Sequence, residues 1–202
     1  MQPRVIGSRT LGAGRFLSLR ELDFIDDRGR RRKWESADRS GDGAGVFLVA
    51  RIVPDDELLL IRQFRPPANR LMLEFPAGLI DPGETAEETA HRELYEETGY
   101  RGRILSIGMP AYSSPGMTGE PITMVTMEID GDEFRGRDVS PHPEETESIE
   151  CFRVPLRELA AFLRRQESEG VGIDTKLHIF ALAQSLGAAK NSACHSGQGG
   201  RR

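Results

Sequence analysis

The sequence is short of three things: cysteine, long apolar runs and positive charge. It has 2 cysteines in 202 residues, Cys151 and Cys194, and neither has a close-spaced partner of a zinc or redox kind. A disulfide framework and a thiolate metal centre are thereby excluded, and both residues read as ordinary reduced thiols. No apolar run approaches the roughly 20 residues of a membrane helix, and the N-terminus carries no signal-like apolar core. The chain therefore reads as cytoplasmic, with no membrane partner. A formal net charge of -5 argues against general attraction to nucleic acid, so an anionic substrate must meet local positive charge or a metal. What is present is enough apolar material, 38 % of the residues, to build one ordinary core.

Apolar and charged residues alternate over 16–25 and 31–35, and the Asp26, Asp27, Arg28, Gly29 break between them predicts a hairpin. A Gly-rich interruption at 40–45 follows. Strand-like runs then occur at 46–51, 57–64 and 71–75, a helix at 85–98, and more strands at 103–108, 122–129 and 148–154. Two helical stretches, 156–165 and 175–186, close the pattern, the second with apolar residues at Leu177, Phe180, Ala181 and Leu186. The expected organisation is an N-terminal β subdomain over 1–43, a main domain over 44–190 and a disordered tail over 191–202. Strands and helices without a βαβ rhythm point to an α+β fold rather than a Rossmann sheet.

The helix at 85–98 carries the chemistry. Thr85 and Glu88 make a capping box, and Gly99 stands where a helix end turns left-handed. Ala86 and Ala90 mark a small-residue stripe that continues at helical spacing to Glu93 and Glu97, so two carboxylates are expected along the inward edge. Glu96 adds a third at the helix C-terminus, where the macrodipole disfavours negative charge. The acidic residues could be a solvated face, as most such runs are. Against this, the helix contains no lysine and Arg92 is its only strong cation. Clustered hard oxygen ligands suit Mg²⁺ or Mn²⁺, which are often shared with substrate phosphates.

Just before the helix, Gly78, Pro82 and Gly83 require a tight turn that lets the backbone approach a metal or phosphate. Gly78, five residues, Glu84, seven residues, then Arg92, Glu93, Leu94, Tyr95, Glu96, Glu97, Thr98, Gly99, Tyr100 resembles the Nudix box at every defining position. The resemblance implies a Nudix α/β/α sandwich with a mixed central sheet, here with a small N-terminal antiparallel sheet. It also implies hydrolysis of a nucleoside-diphosphate derivative. Gln63, Phe64, Arg65, Pro66, Pro67 and Glu74, Phe75, Pro76, Ala77, Gly78 resemble the ADP-ribose pyrophosphatase branch, as does Pro115, sixteen residues beyond Gly99. On its own, Pro115–Gly116 is equally a simple turn.

In that branch a tryptophan placed like Trp34 stacks on adenine, and the N-terminal sheet is shared across a homodimer; Trp34 read alone serves equally as a packing residue. Glu35 lies beside it in the basic and aromatic cluster Arg32, Lys33, Trp34, Glu35, Ser36. Arg39 and Arg65 match positions that contact adenine or phosphate, though either could be a surface arginine. By resemblance, Glu93, Glu96, Glu97 and the Ala77 carbonyl hold the metal, Arg92 orients the carboxylates, and a loop glutamate acts as base. Glu144, Glu145 and Glu147 are the candidates. Glu147 is favoured because it leads directly into the following strand, and Glu120 is a weaker choice for substrate or metal contact. The implied reaction cleaves ADP-ribose or a related ADP-sugar to AMP and ribose 5-phosphate. The rival substrates are a GDP-sugar, a UDP-sugar or an oxidised nucleoside diphosphate. A ligand sensor without catalysis is the rival of another class, although its usual marks, a damaged box and an added DNA-binding domain, are missing here.

Overall fold

A computed structural model describes residues 1–39, 43–142 and 148–195, and divides the chain into two compact units. The first comprises Met1–Phe47, Gly78–Ala90 and Ile107–Val125. Its N-terminal part is an antiparallel sheet of β1 (Arg4–Ala13), β2 (Leu17–Ile25) and β3 (Arg31–Arg39), in that order. The β2–β3 hairpin turns at Asp26, whose carboxylate accepts the backbone N–H groups of Arg28 and Arg30, each at 2.9 Å, while Gly29 supplies the positive φ of 77°. The hydrogen bond from the Arg30 backbone is the main reason the Asp26 carboxyl is held down at about 2. Strand β1 was not expected. Every residue in it is exposed and Gly7 and Gly12 interrupt it, so it lacks the in-and-out alternation by which half-buried strands are recognised.

The second unit comprises Leu48–Ala77, His91–Ser106 and Thr126–Arg202. It holds parts or all of β4 (Gly45–Val53), β5 (Glu57–Arg65), β6 (Arg70–Glu74), β8 (Arg103–Tyr112), β9 (Pro121–Asp130), β10 (Ile149–Pro155) and β11 (Gly172–Ile173). The strands run β11-β6-β5-β4-β9-β8, with β10 also on β5 and the short β7 (Ala77–Leu79) on β4. Because β11 runs parallel to β6 while β5 is antiparallel to both β6 and β10, the sheet is mixed. The fold is therefore α+β, in line with the sequence. Leu58, Leu59, Leu60 and Ile61 of β5 are all fully buried, which explains their unbroken apolar run: the strand is covered on both faces.

Among the described residues three α-helices complete the fold: α1 (Ala86–Thr98), α2 (Leu159–Ser168) and α3 (Thr175–His195). Leu177 and Ala181 face inward, and Phe180 packs edge-on against Phe75 with ring centroids 5.6 Å apart. Leu186, expected on that stripe, is exposed. Helix α3 also runs beyond 186 and past Asn191 to His195. Residues 196–202, the rest of the segment expected as a tail, lie outside the described residues. None of the helices in the described residues is long and apolar enough to cross a membrane.

Candidate active site

The expected site residues that are described divide between the two units. In the first unit the start of α1 is fixed by a reciprocal cap: the Thr85 N–H donates to Glu88 Oε2 at 2.8 Å, and the Glu88 N–H donates to Thr85 Oγ1 at 3.2 Å. Glu84 accepts from the Thr89 hydroxyl at 2.8 Å, so the first box glutamate braces the helix entry. Trp34 on β3 donates its indole N–H to the Gly116 carbonyl at 2.9 Å, and the Ala37 N–H donates to the Met117 carbonyl at 2.9 Å. Strand β3 is thereby tied to the turn that contains Pro115. Trp34 is held by the N–H edge of its ring while the residue as a whole remains 54 % exposed. Arg39 pairs with Glu120 at 2.8 Å. Glu35, opposite Glu21 on β2, is exposed.

In the second unit the last turns of α1 gather the carboxylates. Over 91–98 the buried residues are Leu94, Glu97 and Thr98, so Leu94 fills the core and Glu93 lies at the margin with 12 % of its side chain exposed. Glu97 is 4 % exposed. The Ala77 backbone N–H donates to Glu97 Oε2 at 2.8 Å, so Ala77 meets this carboxylate through its amide. Arg92 Nη1 bridges Glu93 Oε1 at 2.7 Å and Glu96 Oε2 at 3.2 Å. Among the described residues, no three His, Cys, Asp or Glu side chains converge on one point. The donor set nevertheless fits a hard divalent cation. Glu93 and Glu96 share the bridging Arg92 while Glu97 rests on the Ala77 amide, and the three are hard oxygen donors of the kind a divalent cation takes.

Two neighbours of this cluster carried no signal in the sequence. The His142 N–H donates to the Glu96 carbonyl at 2.6 Å and its ring stacks on Tyr95 at 4.9 Å, but a lone histidine in a polar loop gives no sign of such a contact. Cys151 on β10 is pushed up to about 12, first by burial and then by the negative charge of Glu97. Nearby, Arg65 on β5 is gripped by Glu74 on β6, with Nη2 to Oε2 at 2.7 Å and Nε within 3.2 Å of both oxygens. Glu74 belongs to a stretch that carried the resemblance, but its role was not legible there. Glu144, Glu145 and Glu147 lie outside the described residues. A cleft of about 380 Å³ lined by Arg70, Leu163, His178 and Leu182 contains none of the expected site residues.

With this geometry in view, similarity to known proteins gives the family. The NUDIX domain model matches residues 42–172. The chain is 35 % identical over 184 residues to the ADP-ribose pyrophosphatase of Saccharomyces cerevisiae, covering 87 % of this chain and 79 % of the yeast protein. It is 30 % identical over 187 residues to the ADP-sugar pyrophosphatase of Mus musculus, covering 89 % and 86 %. A crystal structure of an ADP compounds hydrolase superposes with a TM-score of 0.63 over 95 % of this chain and 96 % of that one; at 24 % identity it speaks to the fold alone.

Proposed function

Because this chain belongs to the Nudix family, we propose that it is a divalent-metal-dependent pyrophosphatase that hydrolyses ADP-ribose to AMP and ribose 5-phosphate, or related ADP-sugars to AMP and the sugar phosphate. The observation that carries this reading is the acidic end of α1, where the buried Glu97 is anchored on Ala77 beside Glu93 and Glu96. Those three glutamates would hold the cation, with Mg²⁺ the expected ion and Mn²⁺ a substitute. When bound, it supplies charge neutralisation along the diphosphate and at the leaving oxygen. Arg92 sets the two outer carboxylates before the cation arrives. Glu147 is our choice of base for the attacking water, on its resemblance to the family loop.

The adenine preference is supported by the names of the similar yeast and mouse proteins and by the half-exposed Trp34, a ring suited to stacking. Glu35, Arg39, Pro115 and Glu120 would frame the base, and Arg65 would meet a phosphate. A homodimer belongs to the same reading. Val5, Leu11, Phe16, Leu17 and Leu19 leave much apolar surface exposed on the N-terminal sheet, which a second copy would cover. A cytoplasmic setting agrees with Cys151 as a free thiol.

The test is a panel of ADP-ribose, ADP-glucose, GDP-mannose and UDP-glucose with Mg²⁺, products being resolved by chromatography and oligomeric state measured by light scattering. We expect AMP from ADP-ribose at a kcat/KM at least about tenfold above the guanine and uracil sugars. Preferential turnover of GDP-mannose would replace the adenine reading, and hydrolysis of nothing would leave a binding protein.

A further inference from the structure

Glu74 does more than neutralise an arginine. The carboxylate is buried, with 12 % of its side chain exposed, whereas Arg65 is 44 % exposed. Glu74 therefore supplies a fixed surface, and the guanidinium is clamped on it by its Nε–Nη2 edge. Gln63, also buried, stands behind with its amide nitrogen 3.5 Å from Glu74 Oε2. The register explains the meeting. Ile61, Gln63 and Arg65 alternate along β5, and Glu74 on the antiparallel β6 stands opposite Ile61, so the side chains of Gln63, Arg65 and Glu74 share one face of the hairpin.

Three residues beyond Glu74 comes Ala77, whose amide holds Glu97. The intervening segment has little freedom. Phe75 is 1 % exposed and packs on Phe180, and the Pro76 carbonyl accepts the Leu48 N–H at 2.8 Å. We propose that Glu74 is a positioning residue: through the rigid 74–77 segment it sets the guanidinium of Arg65 at a fixed place relative to the metal carboxylate Glu97. A diphosphate gripped by Arg65 then arrives in register with the cation, and displacement by even about 1 Å costs rate rather than binding alone. This rests on Arg65 contacting substrate, as proposed above.

The experiment is a double-mutant cycle of Arg65→Lys and Glu74→Gln, read as kcat and KM for ADP-ribose, Mn²⁺ affinity by electron paramagnetic resonance, melting temperature, and the Arg65 Nε–H resonance. Glu74→Gln is expected to lower kcat about tenfold, to keep Mn²⁺ affinity within about twofold and to lose the slowly exchanging Nε–H signal. In the Arg65→Lys background it should add less than about twofold, because the fork it orients is already gone. Glu74→Asp keeps the charge but retracts the carboxylate, so it should also lower kcat, and it serves if Glu74→Gln does not fold. An undiminished effect of Glu74→Gln in the Arg65→Lys background would make Glu74 merely structural and overturn the proposal. Unchanged kinetics in Arg65→Lys alone would remove Arg65 from the substrate and overturn the proposal at its premise, a result distinguishable because the panel of nucleotide sugars would still be hydrolysed.

Discussion

The backbone N–H of Ala77 donates to Glu97 Oε2 at 2.8 Å across twenty residues of sequence. The strand end before the box and the helix that carries it are thus joined at the one box carboxylate that is buried. Among the described hydrogen bonds, this one most directly links the tight turn to the acidic cluster.

Glu97→Gln separates the observed bond of that side chain from its proposed role at the cation. Its amide oxygen can still accept the Ala77 N–H, so the fold should persist with a melting temperature within a few degrees. The negative charge facing the cation is lost, and with it about 3 kcal/mol of transition-state stabilisation, or on the order of a hundredfold in kcat. Steady-state kinetics with Mg²⁺ and a Mn²⁺ titration check this, and wild-type turnover would remove Glu97 from the metal site.

Gly99 ends α1 at a φ of 76°, and a Cβ there would lie 2.3 Å from the Ser140 carbonyl oxygen and 2.9 Å from Val139 Cγ1. Two costs coincide, a left-handed backbone and a clash with main chain that has no rotamer to escape through. Gly99→Ala should destabilise the protein by about 2 to 3 kcal/mol, measured by urea denaturation. A loss below about half that would mean the 139–140 segment moves aside easily.

Much of this was legible from the residues. The capping box and Gly99 fixed the ends of α1, and the Leu58 to Ile61 run marked a central strand, because these signals are local. Three features were not. Strand β1 has no buried face to leave a pattern, the bond from Trp34 to Gly116 spans 82 positions, and the Arg65 to Glu74 clamp depends on a hairpin register that β5 and β6 alone do not announce. The inward edge of α1 runs where its spacing put it at Ala90 and Glu97, but Leu94 fills the core beside them and Glu93 stays at the margin, because a carboxylate is costlier to bury than a leucine.

Burial and the charge of Glu97 together raise the Cys151 thiol from 9.0 to about 12, so this residue stays protonated where ordinary thiols have ionised. Only the thiolate reacts with alkylating agents. In metal-free Cys194→Ser protein, labelling of Cys151 by iodoacetamide at pH 9 should run on the order of a hundredfold slower than in the urea-unfolded chain. Its rate should still be rising at pH 11, where a normal thiol has reached its plateau. A plateau near pH 9 would mean the thiol is neither desolvated nor close to Glu97.

Substitutions at Trp34 separate packing from the proposed recognition, because the two would use different parts of the ring. The indole N–H is committed to the Gly116 carbonyl, which ties β3 to the 114–117 turn, while 54 % of the residue stays exposed. Base stacking on such a face is worth about 1 to 3 kcal/mol. Trp34→Ala should therefore raise KM for ADP-ribose about tenfold or more with little change in kcat, since a base remote from the reacting phosphates is held equally in ground and transition states. Trp34→Phe keeps a stacking face but loses the donor to Gly116, so it should recover most of the affinity while the turn loosens. If the tryptophan only packs, the order reverses: both variants lower the melting temperature and neither moves KM. Measuring KM and melting temperature on the same three proteins decides between them, because stacking follows the ring face and packing follows the hydrogen bond.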